Sequence, residues 1–141
     1  MAILPPKAIL AIAAVVDIAV HSKERPVSAK ALAARHTLPP RHLEPVLQAL
    51  VREGLLRGIR GPGGGYALAR EAQNITADEI LRAAGTVEDD GDLPISSRLV
   101  REAVLPMVAT AEQSFSLALA QVRVDDMVRI AERIGCDRPH A

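Results

Sequence analysis

Aromatic residues are almost missing from this chain: one tyrosine, Tyr66, one phenylalanine, Phe115, and no tryptophan in 141 residues. Proteins that hold single-stranded nucleic acid stack its bases on aromatic rings, so their absence argues against that class. Cysteine is nearly absent too. Cys136 stands alone, which rules out a disulfide framework within the chain and a metal site built mainly from thiolates. A reduced, cytoplasmic setting is expected. No hydrophobic run is long enough to cross a bilayer. The apolar stretch 8–20 is interrupted by Asp17, is too short to span, and has no cleavage site of small residues after it. It is expected to be a helix buried on most of its faces. The four histidines, His21, His36, His42 and His140, are scattered. None has metal-ligand spacing with a carboxylate or with Cys136, and no catalytic constellation is visible. No enzyme, metal or cofactor is expected.

Net charge is also absent, but only on average. Residues 1–70 carry ten Lys/Arg against four Asp/Glu, and residues 71–141 carry seven against thirteen. A basic half joined to an acidic half is the electrostatic pattern of a polyanion-binding module with a partner module attached. Apolar residues make up 49% of the chain, enough for a core, and that core must be aliphatic. Rich in alanine, it suits close-packed helices.

Five of the nine glycines fall in Gly58-Ile59-Arg60-Gly61-Pro62-Gly63-Gly64-Gly65-Tyr66, between two short apolar runs. Such a segment makes a tight β-ribbon tip whose backbone can lie close to a grooved partner. Phosphate-loop readings fit poorly. A Walker loop ends in Gly-Lys-Ser/Thr, and a dinucleotide fingerprint opens a helix, whereas this loop leads into a second strand-like run. An arginine on such a tip, Arg60 with Gly61, Gly63 and Gly64 around it, is what a DNA minor groove attracts.

Upstream, Pro5-Pro6 opens a helix to about His21. Ser28 is an N-cap, with Val27 and Leu32 at the positions of a hydrophobic staple, for a helix to about His36. Thr37-Leu38-Pro39-Pro40 is a turn. The next helix buries Leu43, Val46, Leu47 and Leu50, and Gly54 ends it. Pro45 lies about one turn in, where a tight or bent turn is expected. Helix, turn, helix and arginine-tipped ribbon make a winged helix-turn-helix. The exposed start of its second helix should face the major groove, with Arg41, His42, Glu44 and Gln48 as candidate base readers. Ser28, Lys30 and Arg57 are candidate backbone contacts. Lys30, Arg35, Arg52 and Arg57 read as phosphate contacts or plain surface charges.

Beyond the ribbon, Thr76 with Glu79 is a capping box for a short helix to about Ala84. Residues 86–95 hold Glu88, Asp89, Asp90 and Asp92 and read as an acidic loop. From Ser96 a helical stripe runs through Leu99, Val100, Ala103, Val104, Met107, Val108, Ala111, Phe115, Ala118, Leu119 and Val122. Pro106 should kink or divide it. A stripe of this length projecting from a small domain is more often a dimer interface than a private core. A last amphipathic helix covers residues 124–134. The expected architecture is mainly α with a small β-wing. Residues 1–85 form the DNA-binding domain, 86–95 the acidic loop, and 96–141 the dimerisation and C-terminal helices.

These residues resemble a known family. Leu43-Glu44, Gly54-Leu55-Leu56, the run Arg60-Gly61-Pro62-Gly63-Gly64-Gly65-Tyr66-Ala67-Leu68-Ala69, and Ile75-Thr76 with Ile80 closely resemble the Rrf-two family of bacterial transcription regulators. The resemblance covers about residues 5–85, with the long helix similar in architecture only. It implies a homodimer crossing at the long helix, major-groove reading by Arg41 to Gln48, and minor-groove insertion of Arg60. It also departs from the family. The cluster-binding sensors hold iron and sulfur with three closely spaced cysteines before the long helix, and residues 86–97 contain none. The chain therefore looks like a cluster-free member, expected to be a homodimeric repressor on double-stranded DNA. Its effector, small molecule or protein, is left open. The alternative is a winged-helix module for protein–protein contact. A metal-dependent enzyme using the acidic loop is a third, weaker reading.

Overall fold

Alanines and branched aliphatics at helical spacing build α1 (Pro6–His21), and the rest of the described chain gathers around it. In this computed structural model the described residues are 6–36, 40–87, 102–103 and 105–135. The turn at 37–39, the acidic loop from residue 88, Leu99, Val100, Val104 and Cys136 lie outside them, as do the side chains of His42 and Val108. Ala11, Ala14, Val15 and Ile18 of α1 are fully buried. Small side chains on this face let neighbouring helices approach closely.

The expected helices follow in order. Ala29–His36 (α2) begins just after Ser28, whose Oγ accepts from the Ala31 amide at 3.0 Å. Val27 and Leu32, the two staple positions, are both buried. Pro40–Arg52 (α3) buries Leu43, Val46, Leu47 and Leu50. It ends at Gly54 in the left-handed region (φ +77°). The Leu55 amide donates to the Leu50 carbonyl and the Gly54 amide to the Val51 carbonyl, the paired bonds of a Schellman stop. Helix α3 continues through Pro45. The proline removes one bond to the Arg41 carbonyl, and both residues sit on the exposed face.

Strands β1 (Leu56–Ile59) and β2 (Gly65–Leu68) form one antiparallel hairpin, with Leu56 opposite Leu68 and Ile59 opposite Gly65. A 3-10 turn (Ala72–Asn74) leads to α4 (Ala77–Ala84). There Thr76 and Glu79 form both bonds of the expected capping box. Helix α5 (Leu105–Leu119) carries Pro106 near its start, after a π-helical pair at residues 102–103. The expected portion from residue 96 to 101 is outside the described residues. Helix α6 (Val124–Arg133) returns to α1 and to the 3-10 turn. The Ala77 amide donates to the Val122 carbonyl and the Val124 amide to the Ile75 carbonyl, which ties the start of α6 to the start of α4.

Helix α1 is buried on most of its faces, as expected: within residues 8–20 only Ile9, 53% exposed, and Ala13 are exposed, while Ile12 and Val16 are half-buried. A mostly apolar groove of about 320 Å³ opens along α1 between Ile9, Ile12, Ala13 and Val16, with Asp17, His36 of α2 and Met127 of α6 also lining it. No described helix is long and apolar enough to cross a membrane.

Candidate nucleic-acid interface

The wing tip is built from residues that tolerate its backbone. Gly61 and Gly63 take positive φ (+100° and +76°), which other residues adopt only at a cost. The Gly64 amide closes the turn on the Gly61 carbonyl at 2.8 Å. A Cβ on Gly64 would fall 2.8 Å from that oxygen and closer still to the Ile59 carbonyl. Nothing lies near the Cβ positions of Gly61 and Gly63, so the outer side of the tip is open backbone. Arg60 stands at its edge, exposed.

Helix α3 presents a second surface. Arg41, Glu44, Pro45, Gln48 and Arg52 are exposed, while the opposite stripe is in the core. Tyr66 of β2 lies close enough to Glu44 for that carboxylate to act on its hydroxyl. Burial first, then the Glu44 charge, push the phenol above its ordinary pKa. The wing and the exposed face of α3 are therefore neighbours.

Among the described residues some cations are paired and others, Arg25, Arg52 and Arg133 included, form no ion pair. Arg35, Arg70, Arg82, Arg123 and Arg129 are each engaged with carboxylates. Lys30, Arg41, Arg57 and Arg60 are exposed and form no ion pair among the described residues. Unpaired cations on one region are free to meet an external polyanion. Arg57 stands opposite Ala67 and lines an open groove with Lys23 and Arg70. Ser28 is half-buried, its oxygen committed to the cap of α2 and its hydroxyl hydrogen still available.

One assignment changes. Arg35 is not a plain surface charge. It grips Asp17 of α1 through two hydrogen bonds of 2.9 and 2.8 Å. His36 places Nε2 2.6 Å from the same carboxylate. Asp17 is buried. Burial alone would raise its pKa. The hydrogen bonds from Arg35 and His36, with the Arg35 charge, outweigh burial and hold it below the ordinary carboxylate value. The signal was present in the sequence: one acid in an otherwise apolar helix must find partners or remain in water.

Of the stripe assigned to the long helix, Ala103, Met107, Ala111, Ala118 and Val122 are exposed, and Phe115 and Leu119 are half-buried. Met107 and Leu117 are 75% and 67% exposed. The apolar side chains of α5 thus find little cover in their own chain. No group of three His, Cys, Asp or Glu residues suited to a metal occurs among the described residues.

A helix-turn-helix followed directly by a two-stranded wing defines the winged helix-turn-helix class. The sequence profile of the Rrf2 family, described as an iron-dependent transcriptional regulator, matches residues 5–130, and the chain belongs to that family. The transcriptional regulator IscR of Xenorhabdus nematophila is 38% identical over 73 residues, 52% of this chain and 44% of that protein. The IscR of Photorhabdus laumondii is 37% identical over the same coverage. The chain thus spans under half the length of these curated relatives. Among solved structures, IscR of T. potens superposes with a TM-score of 0.70 at 30% identity, covering 93% of this chain and 89% of that one. CymR, the global cysteine regulator of B. subtilis, superposes at 0.68 and 24% identity, covering 92% and 98%, which shows the shared fold. The iron in the family description does not fit this chain's donors. Thiolate-held clusters take several cysteines, and one is available here.

Proposed function

We propose that this protein is a sequence-specific regulator of transcription, a homodimeric repressor that acts in the cytoplasm on a partly palindromic operator without an iron–sulfur cluster. In this reading residues 1–85 bind DNA, 86–95 connect, and 96–141 dimerise. Arg41, His42, Glu44 and Gln48 read base edges in the major groove. Arg60 enters the neighbouring minor groove with Gly61, Gly63 and Gly64 letting the backbone approach. Ser28, Lys30 and Arg57 hold phosphates. The observation that carries the reading is the exposed state of Arg41, Arg52, Arg57 and Arg60 on α3 and the adjoining wing, none of them in an ion pair among the described residues.

Dimerisation is supported by apolar surface left bare in the single chain: Met107 and Leu117 on α5, and the groove between α1 and α6. Large exposed apolar patches on soluble proteins mark contact surfaces. Leu99, Val100, Ala103, Val104, Met107, Val108, Ala111, Phe115, Ala118, Leu119 and Val122 are assigned to that contact. Selecting bound sites from a random DNA pool tests the function directly. A two-fold symmetric consensus is expected. On that site Arg60→Ala should weaken binding by about tenfold, ~1.4 kcal/mol, in a gel-shift titration. Recovery of no consensus would overturn the reading.

A further inference from the structure

A backbone bridge ties the wing to the segment that leads into α2. Val27, in that segment, exchanges two backbone hydrogen bonds with Tyr66 of β2: Val27 amide to Tyr66 carbonyl at 2.9 Å, and Tyr66 amide to Val27 carbonyl at 2.8 Å. Beside this pair stands Gly65. A Cβ there would lie 2.5 Å from the Val27 carbonyl carbon and 2.7 Å from the Ser28 amide nitrogen, with the Val27 oxygen nearer still. All three are backbone atoms, so no side-chain rotation relieves the clash. Gly64 differs, since its Cβ would crowd only the wing's own loop. Across the hairpin Gly65 is opposite Ile59, the residue before Arg60. The other side of the joint is Ser28, whose oxygen caps α2. This bridge between wing and helix-turn-helix is thus one residue from the level of the exposed arginine.

We propose that Gly65 is a positioning residue for DNA recognition. By letting β2 press against Val27 and Ser28, it sets the distance and angle at which the wing carries Arg60 relative to α3, and so which minor-groove step is read beside a given major-groove site. The inference rests on the DNA-binding reading above. A side chain at position 65 pushes the hairpin away from the α2 cap and moves Arg60 out of the groove, while α3 stays seated on its own buried stripe.

The test is a double-mutant cycle on the selected operator with wild type, Arg60→Ala, Gly65→Ala and the double variant. Gly65→Ala is expected to weaken binding about as much as Arg60→Ala, roughly tenfold, and the double variant no further. Dimethyl sulfate protection supplies a readout that general destabilisation does not mimic. Gly65→Ala should lose protection of adenine N3 in the minor groove and keep that of guanine N7 in the major groove. Val27→Pro, which removes one of the two bridging bonds and sets a ring carbon against the Tyr66 carbonyl, should push the hairpin off in the same way, reproduce the pattern and keep the test open if Gly65→Ala does not fold. The proposal is overturned if Arg60→Ala costs as much in the Gly65→Ala background as in wild type, or if both protections fall together in a folded variant. An Arg60→Ala change without effect in wild type would remove the wing reading itself, and this proposal with it.

Discussion

Asp17 is a single acid in the middle of α1, and it joins two elements. Its two oxygens are taken by Arg35 and His36, the last two residues of α2. The carboxylate therefore fixes the end of the first helix of the helix-turn-helix against the central helix. Removing one partner of a buried pair leaves the other without compensation. Asp17→Asn should destabilise the fold by about 3 kcal/mol, measured as a lower urea midpoint. Because the Asp17 pKa is lower folded than unfolded, its contribution is complete above the ordinary carboxylate value, about 3.9. The contribution is lost as pH falls through the folded value. The wild type should lose stability more steeply than Asp17→Asn as pH drops below about 4. Parallel curves of midpoint against pH would show that Asp17 is not the group responsible.

Among the elements, α5 differs most from its surroundings. Helices α3 and α4 hide their apolar stripes within the chain, whereas α5 touches α4 and leaves Met107 and Leu117 in solvent. An isolated helix of 15 residues is marginal in water, and in the proposed dimer the second copy covers this face. The paired change Met107→Asp with Leu117→Asp lies outside the buried core and should leave the winged domain folded. It is expected to halve the mass seen by light scattering at micromolar concentration. A mass equal to that of the wild type would place the contact elsewhere. Helix α6 and its C-cap carry bare residues, Ile130 and Ile134, at three- and four-residue steps from Met127. They extend the apolar surface that begins in the groove.

At the scale of the whole molecule, charge is divided rather than neutralised. The half that contains the helix-turn-helix and the wing has six more cations than anions, and the other half six fewer. Binding through the basic half should release counterions from DNA, so affinity should fall linearly on a double logarithmic plot as salt rises. A drop of about a thousandfold between ~50 and ~200 mM salt is expected if some six phosphates are contacted. A nearly flat dependence would favour a module that binds protein instead.

Much of this was legible in the chain. Helical spacing in 43–50, the Thr76–Glu79 capping box and the glycine-rich tip each rest on interactions within a few residues, and each forms as the spacing demands. The partners of Asp17 were not legible. Arg35 and His36 are 18 and 19 residues away, and nothing local distinguishes them from other surface cations. Nor was the exposure of Ile9 and Ala13 on the otherwise covered α1, because apolar periodicity gives the faces of a helix but not how many neighbours arrive to cover them. Gly65 read as one more glycine of a loop, and its particular need became visible only where Val27 crosses it.

The sequence by itself determined the kind of domain, the order of its elements, the place of the arginine-tipped ribbon and the scarcity of thiols, because these follow from short-range periodicity, turn chemistry and composition. Only the tertiary structure decided which charges neutralise one another inside the chain, which apolar faces stay in solvent, and how the wing is fastened to the helix beside it. Those outcomes depend on groups far apart in sequence meeting at distances of a few ångströms, and no local rule encodes such meetings.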